Sequence, residues 1–155
     1  MDFFNSVPLP LIRHNYQYSG ISETMSHTII YNSETHVIES KFKGDLNFEE
    51  VKEFISAGAL ISRENNCPFF LSDYREVKLE LSTMDIYEVP QLLQDIFASF
   101  GLNVRRLRRA VVAAADLEDY LFYETVAFNR GQYAKVFTDM DEARKWLSTK
   151  QGSRH

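Results

Sequence analysis

Short apolar runs alternate with longer amphipathic stretches along most of the chain, and their lengths separate two kinds of element. Thr28 to Tyr31, Val37 to Lys43, Phe69 to Ser72, Ala110 to Ala114 and Tyr133 to Phe137 are rich in β-branched and aromatic residues and too brief for helices, which predicts five strands. In the second, Ile38, Ser40 and Phe42 alternate with Glu39, Lys41 and Lys43, so one face meets water. The polar loop Asn32-Ser33-Glu34-Thr35 joins the first two strands as a hairpin. The last three are almost uninterrupted apolar runs, each followed by a helical pattern, as in parallel strands covered on both faces through right-handed crossovers.

Four helix starts share one device, a capping residue followed three positions later by an acid. Asn47 with Glu50, Ser82 with Asp85, Asp116 with Asp119 and Asp139 with Glu142 all fit. The second helix carries a stripe at Ile86, Val89, Leu93, Ile96, Phe97 and Phe100 and ends at Gly101. Pro90 interrupts that stripe and predicts a break or kink near Glu88 and Val89. The expected architecture is α/β: a mixed five-stranded sheet with a leading β-hairpin, three mainly parallel strands and four helices.

At 155 residues the chain fits one domain, read as 27–148, with an N-terminal arm at 1–26 and a disordered tail at 149–155. Phe3, Phe4, Tyr16 and Tyr18 give the arm enough aromatic surface to lie across the domain or a neighbouring subunit. A 45% hydrophobic composition supports a core, and no run reaches the roughly 18 apolar residues of a membrane span. The acidic opening Met1-Asp2-Phe3-Phe4 does not read as a signal peptide. Seventeen basic against twenty-two acidic residues, a net charge of -5, argue against nucleic acid as a partner. A lone cysteine, Cys67, excludes an internal disulfide and suits the cytoplasm; it reads as a packed small residue.

Gly44-Asp45-Leu46, Phe69-Phe70-Leu71-Ser72-Asp73 with Tyr74-Arg75, Leu81-Ser82-Thr83-Met84-Asp85-Ile86, and Val136-Phe137-Thr138-Asp139 with Glu142, Ala143, Trp146 and Leu147 resemble the SpoIIAA-like branch of the STAS domains, and more loosely the CRAL-TRIO lipid-transfer domains. The likeness spans about 28–147. It implies a non-enzymatic regulatory or protein-interaction module, and through the looser kinship a carrier of a small apolar, lipid-like ligand. It also implies that Ser82 and Thr83 stand where the phospho-switched antagonists accept phosphate. The Asp-Ser-Ser-Gly pattern of those proteins is absent, and the plainer role of Ser82 is an N-cap.

No catalytic constellation, metal-ligand set or cofactor motif is recognised. Asp73, Tyr74 and Arg75, placed just beyond the central strand, mark the first candidate binding site; the plainer reading is an Asp capping a turn and an Arg paired with Glu76 or Glu80. Arg105, Arg106, Arg108 and Arg109 form the second, suited to an anionic partner, against the simpler reading of a solvated connection. His27 and His36 flank the hairpin and read as surface histidines. The aromatic stretch Tyr120, Phe122, Tyr123 and Phe128 exceeds one stripe, since Tyr120 and Phe122 project from different sides of one helix, which points to contact with a second subunit as in a homodimer, with the N-terminal arm or with a ligand.

Overall fold

The structure, a computed structural model, describes residues 17–21 and 25–152. Six strands form one sheet in the order β1 (Gln17–Ile21), β2 (Met25–Asn32), β3 (Val37–Leu46), β4 (Phe69–Leu79), β5 (Arg108–Val112) and β6 (Tyr133–Phe137). The helices are α1 (Phe48–Asn65), α2 (Thr83–Ser99), α3 (Leu117–Asn129) and α4 (Met140–Gly152), with a 3-10 turn at Val104–Arg106. All five expected strands and all four helices are present. The sixth strand comes from the segment read as an arm, where β1 pairs antiparallel with β2; Phe3, Phe4 and Tyr16 lie outside the described residues. Helix α4 continues to Gly152, into the segment read as a tail.

Pairing is antiparallel from β1 to β3 and parallel from β3 to β6. Strand order follows chain order, so the three crossovers through α1, α2 and α3 all advance in one direction. Right-handed connections then place those three helices on one face of the sheet. Helix α4 follows the last strand and covers the other face, where Arg144 meets Glu39 at 3.1 Å and Trp146 packs on Phe137. The expected cover on both faces is present at the centre of the sheet, but β6 is an edge, with Tyr133 and Lys135 exposed.

Local chemistry sets the element ends. Asn47 and Glu50 make a reciprocal capping box at α1, as do Ser82 and Asp85 at α2, and Asp139 Oδ1 accepts from the Glu142 N–H at 3.0 Å. Asp116 departs from the expected device. It adopts a left-handed conformation, φ 55°, and makes no side-chain cap bond. Its carboxylate instead lies 3.5 Å from the Leu79 N–H. Pro90 does not end α2, which runs unbroken from Thr83 to Ser99. The Gly44-Asp45-Leu46 segment continues β3, and Gly44 takes φ 110° in the backbone just beyond a register shift between Lys41 and Lys43.

Candidate functional site

Between the sheet and helices α1, α2 and α3 lies a cavity of about 150 Å³. The strands supply Ile29, Ser40, Phe42, Phe70, Ser72, Tyr74, Arg109 and Val111, which share one face by strand alternation. Opposite them stand Val51, Phe54 and Gly58 of α1, Ile86, Val89, Leu93 and Phe97 of α2, and Asp119, Tyr120 and Tyr123 of α3. A Cβ built on Gly58 would meet Phe70 at 3.4 Å, an ordinary van der Waals contact, so α1 lies over the Phe70 ring at this point.

Few polar groups line this space. Ser40 and Ser72 face each other across β3 and β4, Oγ to Oγ at 3.0 Å. Arg109 is 9% exposed and Tyr120 6%. The Arg109 guanidinium donates through Nη1 to Tyr123 Oη and through Nη2 to Gln132 Oε1 at 3.0 Å. Gln132 in turn donates to the Pro90 carbonyl at 2.9 Å, which uses the proline's remaining backbone group to tie α2 to the loop before β6. Arg109 Nε and Tyr120 Oη are buried and have no hydrogen-bond partner. Among the described residues no carboxylate lies within ion-pair distance of Arg109.

Tyr74 connects these groups. Its ring stacks on Phe42 with centroids 4.6 Å apart and lies 5.7 Å from the Tyr120 ring. Burial raises the Tyr74 hydroxyl pKa, Tyr123 adds to the rise, and the charge of Arg109 pulls the other way. Burial likewise raises the Tyr120 hydroxyl, reinforced by Tyr74, Asp116 and Asp119. Both hydroxyls therefore stay protonated at neutral pH.

The first sequence-derived trio divides between the two faces. Strand β4 continues through Leu79 instead of ending at Ser72, so Tyr74 turns into the cavity while Asp73 and Arg75 turn to the α4 side. Arg75 grips Asp73 through Nε and Nη2 at 3.0 and 2.9 Å. Lys41 stands 3.5 Å from Asp73 and 2.9 Å from Glu76. Burial alone would raise the Asp73 carboxyl pKa, but the hydrogen bonds and charge of Arg75, with Lys41, outweigh it and hold the group below its ordinary range. Asp73 does cap the backbone after it, accepting the Arg75 N–H at 3.0 Å, but the Arg75 guanidinium takes Asp73 and forms no ion pair with Glu76 or Glu80.

The arginine cluster also separates. Arg105 and Arg106 are exposed on the 3-10 turn, with Arg105 packed beside Gly131. Arg108 lies 3.9 Å above the Tyr133 ring, and Arg109 points to the cavity face. Successive positions of β5 project oppositely, which is why one basic run cannot make one patch.

Ser82 and Thr83 are exposed, and the Ser82 hydroxyl accepts from the Asp85 N–H at 3.0 Å. His27 is buried rather than on the surface, its ring 4.3 Å from that of Phe54. His36 sits at the hairpin turn, half-buried, with Nδ1 2.8 Å from Tyr31 Oη. Cys67 is buried in the core. Ser40, Ser72, Tyr123 and Gln132 were not singled out as site residues from the sequence, and Gln132 carried no local signal, since its partners lie 23 and 42 positions away.

No protein-family model matches this chain, and no curated protein matches it. A solved structure with similarity is that of an uncharacterized protein from the DUF3478 family with a SpoIIAA-like fold, from Shewanella loihica PV-4. It is 17% identical, and the match covers 86% of this chain and 94% of that chain at a TM-score of 0.46. The fold named for it is the one the sequence motifs resemble; a likeness of that degree says nothing of activity. Among the described residues no helix is long and apolar enough to cross a membrane.

Proposed function

We propose that this protein is a non-enzymatic binding module that takes a small, largely apolar molecule between its sheet and helices α1 to α3. The observation that carries this reading is the cavity of about 150 Å³ whose apolar lining includes Ile29, Phe54, Val89 and Leu93. An engineered apolar cavity of about this volume holds benzene. Apolar lining without a packing partner forgoes dispersion contacts, and a ligand that supplies them stabilises the fold through linkage. The size favours a ring or a short branched chain over a full acyl chain. The raised tyrosine hydroxyls stay protonated and serve as hydrogen-bond donors.

The test is native mass spectrometry of gently purified protein together with methyl NMR during titration with toluene. A retained small molecule, or saturable shifts at the Ile29, Val89 and Leu93 methyls with a raised melting temperature, is expected. Absence of both would refute the reading.

A second reading, a protein-interaction surface, is favoured by α3. Leu117, Leu121 and Phe128 fall within about 40° of one another at 100° per residue, and Leu121 and Phe128 are 50% and 73% exposed. That stripe lies roughly 110° around the helix from the face that sends Tyr120 and Tyr123 to the cavity, and it suits a second copy of the chain or another protein.

A further inference from the structure

Arg109 poses a physical problem that the apolar cavity alone does not explain. Its guanidinium is charged at every accessible pH and is 9% exposed. Its two acceptors, Tyr123 Oη and Gln132 Oε1, are neutral, so they satisfy N–H groups without balancing the charge. Nε has no acceptor at all. Burying a cation without a counter-charge is costly, and native proteins pair such groups.

Tyr120 Oη repeats the problem on the facing helix: 6% exposed, no hydrogen-bond partner, and lining the same cavity. Buried polar atoms are paired in roughly nine cases of ten. Two unsatisfied donors, one of them cationic, therefore face one largely apolar space, and Tyr74 packs between their surroundings.

Resting on the cavity reading above, we propose that the ligand is a small aromatic or branched-chain monocarboxylate, its apolar body against Ile29, Val89 and Leu93 and its carboxylate on Arg109 and Tyr120. A carboxylate supplies the missing charge and accepts from both donors, and arginine–carboxylate pairs are among the strongest hydrogen-bonded contacts. A phosphate dianion fits less well: the free donors are few, and Asp119 adds a negative charge to the cavity wall. The remaining polar lining, Ser40 and Ser72, is engaged with itself.

The experiment titrates the full chain at neutral pH with benzoate, toluene and phenylphosphonate, read by methyl NMR and calorimetry. Benzoate is expected to bind about tenfold or more tightly than toluene, the scale of a charge-assisted hydrogen bond. In Arg109→Gln that preference disappears while toluene still binds. Tyr120→Phe removes one partnerless oxygen, so it folds as the parent does and weakens benzoate about fivefold. Toluene binding without a preference for benzoate, tighter binding of phenylphosphonate, or benzoate affinity unchanged in both variants would each overturn the carboxylate assignment and leave the cavity reading standing. Failure of all three probes to bind overturns both.

Discussion

His27 packs against Phe54 and Phe42 with ring centroids 4.3 and 6.0 Å away. Burial lowers its pKa, with Glu50 pulling in the opposite direction. The unfolded chain therefore takes up the proton more readily than the fold does. The stability that neutral His27 contributes is complete above its unfolded pKa of about 6.5 and is lost as the pH falls through the lower folded value. We expect its ring to titrate by NMR with a midpoint below about 6.5. The urea midpoint of the parent should fall more between about pH 7.5 and 5.5 than that of His27→Phe, and equal falls would contradict the assignment. At this scale residue type was readable and residue surroundings were not. Arg109 looked like one of four equivalent arginines until β5 turned it inward beside Tyr123, while Asp73 and Tyr74, adjacent in sequence, parted to opposite faces of β4.

Helix ends were legible because a cap is a local bargain between a side chain and N–H groups two or three residues away. Ser82 shows the consequence. Its hydroxyl closes the capping box with Asp85, so Ser82→Ala should lower stability by about 1 kcal/mol in urea denaturation. Ser82→Asp should fall within a few tenths of the parent, because aspartate also caps and its charge suits the helix dipole. A loss in Ser82→Asp as large as in Ser82→Ala would mean the site does not tolerate an anion. The cap at Asp116 was misread because the spacing of acids reports nothing about φ, and there the backbone is left-handed. Pro90 was misread for a related reason. The missing N–H is a local loss within the helix, whereas the bond from Gln132 to the proline's carbonyl, which anchors that turn, comes from another part of the chain.

For the molecule as a whole, sequential strand order with one handedness of crossover puts three helices over one face and leaves a single helix for the other. The same geometry turns α3 so that Tyr120 and Tyr123 look inward while Leu121 and Phe128 look out. If that outward stripe holds a second copy, light scattering will show a dimer that becomes monomeric in Leu121→Lys/Phe128→Lys with its fold intact by circular dichroism. A parent that is monomeric at every concentration excludes self-association through α3.

Periodicity and capping, which act over a few residues, specified five of the six strands, the four helices and their α/β arrangement, because each depends on neighbours close along the chain. The edge strand β1, the division of the arginines, the union of Arg109 with Tyr123 and Gln132 and the cavity itself arose in the assembly. They depend on which faces the sheet and helices present to one another, and that relation is settled only when segments distant along the chain are packed together.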